Sequence, residues 1–310
     1  MTTFTELGVS RPVTKALHAR GINAPFAVQH LVIGDVLAGR DVLVQSPTGS
    51  GKTLAFGVPM VDRLDPGGNG PRALVLAPTR ELATQIVDEM SAVVRARKLS
   101  IAPVYGGVPI PPQAKRAGRA DIVVATPGRL EDLLQRRALT LAHVRILVID
   151  EADRMLDMGF KPAVDRIVGA TPESRQTLFF SATLEAAAGA QARAYTRDPV
   201  RHVHEPKADD SGDVSHRFVH LTHQQKVDAL VSELRDAERG RTLVFVRTKR
   251  GADRLVKRLA QKRLDAVAMH GNKSQNQRRR ALADFERGEC DTLVATDVAS
   301  RGIDVEEDPA

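Results

Sequence analysis

Short apolar runs recur along this 310-residue chain, each followed by sequence of helical period, and no other feature constrains its fold as tightly. A run such as Ile146–Ile149 has no polar alternation. It reads as a strand buried on both faces, the kind parallel sheets use, and it is far too short to span a membrane. In the first half, strands are predicted near Asp41–Gln45, Ala73–Ala77, Ile101–Tyr105, Ile122–Ala125, Ile146–Ile149 and Gln176–Phe180, with helices such as Arg80–Arg97 and Gly128–Arg136 between them. "HEPKADDSGD", residues 204–213, is polar and aperiodic and reads as a linker. The pattern then restarts, with strands near Arg217–Leu221, Thr242–Val246, Ala266–Met269 and Asp291–Ala295. Such alternation predicts an α/β protein of two doubly wound parallel-sheet domains facing each other across a cleft. The boundaries expected are residues 1–206, a linker at 207–213, and residues 214–310.

One strand-to-helix junction carries chemistry. In "VLVQSPTGSGKTLAF" the segment Ser46–Thr53 lies between strand and helix, and its Thr48, Gly49, Ser50 and Gly51 form a loop whose backbone N–H groups can turn inward. Together with the helix N-terminus they make a phosphate cradle. Lys52 would reach the β/γ-phosphates and the Thr53 hydroxyl would hold Mg²⁺. The commonest form of this loop begins with Gly, where this chain has Ser46. A purely structural turn is the alternative, and the strand–loop–helix context argues against it.

"RILVIDEADRML" supplies the partner. Asp150 and Glu151 emerge at the carboxyl end of a buried strand, where open α/β sheets bind ligands. Asp150 is assigned to Mg²⁺, directly or through water, and Glu151 to orienting and deprotonating the attacking water. Acidic residues after a strand also serve as an ordinary helix cap; pairing with the phosphate loop favours catalysis.

The charge balance points to a polyanionic partner. The chain carries a net charge of +7, and Arg241–Arg287 alone holds 14 Lys/Arg against four acidic residues. Such a face suits nucleic acid or polyphosphate, or is simply a solvated basic surface. Trp is absent and Tyr occurs twice, so stacking platforms are scarce and a sugar–phosphate backbone is the better target. The single Cys290 has no internal disulfide partner and reads as a buried apolar residue. "MTTFTELGVSRPV" shows neither a basic n-region nor an apolar h-region, so the expected home is cytoplasmic, with no membrane partner.

Asp150-Glu-Ala-Asp153 belongs to a series of motifs that resembles the DEAD-box RNA helicases, from Phe4 to about Asp304. The wording of residues 270–288, "HGNKSQNQRRRALADFERG", is closest to the RhlE-like bacterial branch. The resemblance implies two RecA-like domains, ATP and Mg²⁺ as cofactors, and RNA as partner, single-stranded or as short duplex, held by its backbone. Gly21 to Pro25, leading to Gln29, looks like the family's adenine-reading segment, with Phe4 as its upstream aromatic. The Gln29 amide can donate and accept together, matching the N6/N7 edge of adenine, and Phe4 would offer a stacking face. A buried Phe and an exposed Gln are the alternatives.

The same resemblance assigns RNA contact to Pro78, Thr79 and Arg80, to Gly107 of the Gly106–Gly107 pair, and to Thr126, Pro127, Gly128 and Arg129. These lie at strand-to-helix junctions, where backbone N–H groups, hydroxyls and guanidinium suit phosphate. An ordinary turn at Gly107 and a surface ion pair at Arg129 are the competing readings. Ser181 and Thr183 of "SAT" look like the segment that couples hydrolysis to domain movement, or form a simple helix cap. In the second half Arg247, Gln275, Arg278 and Thr296 are expected at RNA and Asp304 at the nucleotide. Gln275 and Arg278 could grip a phosphate together or form a solvated face. His270 reads as scaffold, since no His/Cys cluster surrounds it.

The reading is therefore an ATPase that grips RNA without regard to sequence and opens short duplexes as ATP and RNA draw the domains together. A nucleotide-gated clamp without efficient turnover is the alternative. The resemblance also implies an arginine-bearing motif after "TDVASRGID"; after Asp304 come only Val305–Ala310. The chain is accordingly expected to be cut short, its second domain incomplete, and its hydrolysis weak.

Overall fold

The computed structural model describes residues 2–68, 70–184, 186–204, 215–222, 224–236 and 240–296. The chain divides into two compact units, Met1–Ser211 and Gly212–Ala310.

The first unit is a seven-stranded, wholly parallel sheet. Its strands are β1 (Val42–Gln45), β2 (Ala73–Leu76), β3 (Ile101–Val104), β4 (Ile122–Ala125), β5 (Ile146–Ile149), β6 (Gln176–Ser181) and β7 (Val200–Val203), arranged β3-β4-β2-β5-β6-β1-β7. Helices α1 (Arg11–His18) and α2 (Ala27–Leu37) precede the sheet, and α3 (Lys52–Asp62), α4 (Arg80–Ala96), α5 (Ile110–Ala117), α6 (Pro127–Gln135), α7 (Ala152–Asp157), α8 (Lys161–Gly169) and α9 (Ala186–Tyr195) connect its strands. β2, β4 and β5 are buried along their whole length, as their uninterrupted apolar runs require, and β6 is equally buried although Gln176, Thr177 and Ser181 are polar. Val75, Val124, Val148 and Phe180 join one core cluster, while Leu76, Val123, Leu147 and Phe179 join the other. Successive residues thus point to opposite layers.

The second unit contains α10 (Gln225–Leu234), β8 (Thr242–Val246), α11 (Lys249–Gln261), β9 (Val267–Met269), α12 (Gln275–Glu286) and β10 (Thr292–Thr296). Its three strands are parallel in the order β8-β10-β9. α10 and α11 pack on the side of Val244, Val246 and Val294, and α12 on the side of Met269, Leu293 and Ala295.

Two strand expectations need correction. Residues 215–222 form no strand, although "RFVHL" alternates; Phe218 and Val219 are exposed, so burial on one face, the force that makes such a pattern fold, is missing. The edge strand β7 was not anticipated, because His202 interrupts its apolar pattern; that ring pairs with Asp35 at 2.9 Å. The expected linker at 207–213 lies outside the described residues.

Candidate nucleotide and nucleic-acid site

The phosphate loop leaves β1 and enters α3 with Gly51 at the helix N-cap. Gly49 and Gly51 have φ of 77° and 86°, values that need glycine. A Cβ on Gly51 would also lie 2.7 Å from both the Phe26 ring and the Gln29 amide nitrogen. The loop is held by its own side chains. Ser46 and Ser50 hydroxyls lie 2.6 Å apart, and Ser50 Oγ donates to the Pro47 carbonyl at 2.9 Å. Lys52, buried, donates its ammonium to the carbonyls of Ser46, at 3.1 Å, and Pro47. Those carbonyls occupy the donors that the sequence assigns to phosphate oxygens. Thr48 and Gly49 are exposed, and Thr53 is half-buried in the first turn of α3.

Three neighbouring strands converge beside this loop. β6 lies between β1 and β5, so Ser181 ends a strand flanked by the loop on one side and by Asp150-Glu151 on the other. Ser46 N–H donates to the Ser181 carbonyl at 3.0 Å, closing the junction. The Ser181 hydroxyl and Glu151 Oε2 are buried and lack a hydrogen-bond partner among the described residues. Buried polar atoms ordinarily have partners, so both are poised for a bound group. Burial raises the Asp150 carboxyl to about 6, against the opposing pull of the Lys52 charge and the Glu151 N–H. Burial, and then the Asp150 charge, raises Glu151 to about 7. Glu151 also adopts a left-handed backbone, φ 49°, that a non-glycine residue holds only at a cost of about 1–3 kcal/mol.

Asp153 was not anticipated as a functional side chain. Its Oδ2 accepts from the Thr183 N–H at 3.2 Å and from the Thr183 hydroxyl at 3.4 Å, joining the acidic motif to the "SAT" segment. Thr183 is thus tied to α7 directly, and Ser181 is the last residue of its strand.

Gln29 is 1% exposed, and both ends of its amide are engaged. Oε1 accepts from the Phe26 N–H at 2.9 Å and Nε2 donates to the Gly51 carbonyl at 3.0 Å, linking the start of α2 to the phosphate loop. The amide keeps one lone pair and one N–H for a base. Phe4 must be corrected: it is fully buried in the core with Val9, Val13 and Leu17 and has no face to offer. The exposed aromatic at this end is Phe26.

The residues expected at RNA occupy the other half of the same sheet edge. Pro78, Thr79 and Arg80 follow β2, Gly106 and Gly107 follow β3, and Thr126 to Arg129 follow β4. Thr79 caps α4, accepting from Leu82 N–H at 3.2 Å. Gly107 has φ 84°, and a Cβ there would lie 2.2 Å from Arg80 Nη1, so this is a glycine-requiring turn packed on the guanidinium. Thr126 and Pro127 are buried at the start of α6, and Gly128 is exposed. Arg129 is a second correction. Its Nη1 donates to the Val108 carbonyl and the Gln113 amide, both at 3.0 Å, and its Nε faces Asp132 at 3.8 Å. Neither a free phosphate contact nor a simple surface ion pair describes it; it braces the loop after β3.

In the second unit Arg247 follows β8 and is exposed, and Thr296 ends the adjacent β10 and is buried. Gln275 and Arg278 are buried in the first turns of α12, which overturns the solvated-face alternative. His270 is buried, its Nδ1 accepting from Asn272 N–H at 3.3 Å and its Nε2 3.0 Å from Asp253, a scaffold role as expected. Asp304 lies outside the described residues.

The donor set suits Mg²⁺. Among the described residues there is no group of three or more His, Cys, Asp or Glu that would cage an ion. A magnesium ion carried on nucleotide phosphates needs only a carboxylate or two and a hydroxyl, which Asp150 and Thr53 can supply. Among the described residues no helix is long and apolar enough to cross a membrane.

Comparison with known proteins places the chain in a family. A family model described as DEAD/DEAH box helicase matches residues 26–190, and one described as helicase conserved C-terminal domain matches residues 225–307. The chain is 39% identical over 313 residues to the ATP-dependent RNA helicase DBP2 of Gibberella zeae, covering 98% of this chain and 56% of that protein. It is 38% identical over 306 residues to the ATP-dependent RNA helicase DeaD of Mycobacterium tuberculosis, covering 98% and 54%. The chain thus spans a little over half the length of these curated relatives. Among solved structures, a DEAD box protein from Methanococcus jannaschii matches at 36% identity and a TM-score of 0.65, covering 99% of this chain and 83% of that one. Saccharomyces cerevisiae Dbp5 bound to RNA and ADP BeF3 matches at 27% identity and a TM-score of 0.84, covering 98% and 78%.

Proposed function

Because the chain belongs to the DEAD/DEAH box helicase family, we propose that it binds ATP with Mg²⁺ in its first unit and uses ATP binding and hydrolysis to grip RNA by its backbone and open short duplexes locally. The observation that carries this reading is the convergence of the phosphate loop, the Asp150–Glu151 pair and Ser181 on three adjacent strands, with Glu151 raised to about 7 and one of its oxygens unpartnered. The match to Dbp5 in its RNA- and nucleotide-bound form supports the same reading.

The roles follow from the chemistry. On nucleotide binding Lys52 exchanges its two loop carbonyls for phosphate oxygens, and Thr48 to Thr53 supply backbone N–H groups and a hydroxyl. Gln29 reads the adenine edge. Asp150 and Thr53 would hold Mg²⁺, which would neutralise charge on the phosphates. Glu151, titrating near operating pH, takes the proton of the attacking water. Ser181 and Thr183, the latter through Asp153, transmit the state of that site. Thr79, Arg80, Gly107, Thr126 and Gly128, with Arg247, Gln275, Arg278 and Thr296 in the second unit, receive the RNA backbone, and Pro78, Pro127 and Arg129 shape that surface. We assign residues 1–206 to the ATP-binding domain, 214–310 to the second helicase domain, and the protein to the cytoplasm.

The test is ATP turnover measured with single-stranded RNA, with DNA of the same sequence, and with no nucleic acid. Stimulation by RNA over DNA is expected. Equal stimulation by both points to a general single-strand translocase, and ATP-dependent RNA retention without turnover points to the clamp.

A further inference from the structure

Phe26 sits beside the last glycine of the phosphate loop. It occupies the N-cap of α2, a position favouring Ser, Thr, Asp or Asn, and makes no side-chain cap bond. Phe26 is 61% exposed, while every other Phe and Tyr among the described residues of the first unit is buried or half-buried. A single exposed apolar side chain is ordinary. This one forgoes a helix cap and also lies against a functional loop: a Cβ at Gly51 would be 2.7 Å from Phe26 Cδ2. The Phe26 N–H donates to Gln29 Oε1, and Gln29 Nε2 donates to the Gly51 carbonyl, so the Phe26 backbone, the Gln29 amide and the last loop glycine form one hydrogen-bonded unit beside the ring. Local preference broken without a packing gain is the mark of a functional position.

We propose that Phe26 is the stacking platform of this nucleotide site, receiving the face of the base whose edge Gln29 reads. The inference rests on the ATP-binding reading above and adds to it a residue that governs affinity for the base end of the nucleotide. Every base has a π-face, so Phe26 contributes to purine binding in general, whereas Gln29 selects adenine.

Substitution can separate these roles. Phe26→Ser restores a capping residue and is expected to leave the thermal midpoint unchanged or raised. It is expected to weaken ATP and GTP by similar factors, about 5- to 100-fold. Inorganic tripolyphosphate, which carries no base, should bind as before. Phe26→Trp should preserve ATP affinity. Because the chain contains no Trp, the new indole is a unique fluorophore whose emission should be quenched saturably by ATP and not by tripolyphosphate. Unchanged ATP affinity in Phe26→Ser, or equal losses for ATP and tripolyphosphate, overturns the proposal. Lys52→Ala keeps the two readings apart. If it abolishes ATP binding while Phe26→Ser does nothing, only the stacking role fails. If it leaves ATP binding intact, the nucleotide site itself is misplaced and this inference falls with it.

Discussion

The two units are built from the same strand–helix grammar and differ in how completely their sheets are covered. In the first, β2, β4, β5 and β6 are buried residue for residue between two helical layers. In the second, β8 has Val244 and Val246 packed under α10 and α11, but Leu243 and Phe245 on its other face are exposed, Phe245 at 60%. A parallel strand gains its stability from cover on both faces. The first sheet is therefore a frame on which three strand ends hold a loop, two desolvated carboxyls, one of them on a strained backbone at Glu151, and an unpartnered hydroxyl in register. The second presents Arg247 and Thr296 from a thinner sheet.

The comparison can be broken at its chemical end first. Glu151→Gln is expected to slow single-turnover hydrolysis by roughly 10²–10⁴ and to spare ATP binding, since the proposed general base lies in the first unit. Turnover that survives this change removes Glu151 from the mechanism. Next in size is packing. Phe180 is fully buried and meets Phe56 edge-to-face at 5.4 Å, so Phe180→Ala should cost about 3–5 kcal/mol in urea unfolding. Phe245→Ala should stay within about 0.5 kcal/mol. Amide exchange sharpens the same contrast: β8 and β9 should open before β1, β5 and β6. Equal protection in the two sheets, or equal cost for the two phenylalanines, erases the distinction.

A smaller effect concerns pH. Asp150 and Glu151 are raised from ordinary values of 3.8 and 4.5 to about 6 and about 7. The folded chain thus binds more protons than the unfolded chain across that window, and stability of the first unit falls as pH rises from about 4 to 7. Glu151→Gln should flatten this dependence and stabilise the unit by on the order of 1–3 kcal/mol at pH 8. In wild type, hydrolysis should rise through the same window as the base ionises. A variant as pH-sensitive as wild type would show that the buried pair is not the source. The smallest expected change is at the RNA side: Arg80→Gln should weaken RNA binding about equally for all sequences and lower the salt slope of log K by about one. Base-selective loss would contradict a backbone contact.

Much of the site was legible in sequence because its parts are local. The glycines of the phosphate loop, the carboxyls after an apolar run and the "SAT" turn each announce themselves within a few residues. Phe4 and Phe26 show the limit. Both are phenylalanines near the same motif, and which is buried depends on α1 and α2 packing over the sheet, a contact that no local pattern encodes. Arg129 and Arg80 make the same point: one guanidinium is used up on Val108 and Gln113, while the other lies against Gly106–Gly107.

The sequence by itself determined the alternation of strands and helices, and hence that every loop following a strand would gather at the carboxyl edge of a parallel sheet. Periodicity and backbone chirality suffice for that, since right-handed crossovers place all such loops on one edge. Only the tertiary structure decided the lateral order along that edge. The arrangement β3-β4-β2-β5-β6-β1-β7 separates it into a half built from β5, β6 and β1, where the residues proposed for the nucleotide meet, and a half built from β3, β4 and β2, where the first unit's residues proposed for RNA meet. That order depends on which hydrophobic faces pair most completely across the whole unit, a sum over distant contacts that no single motif contains.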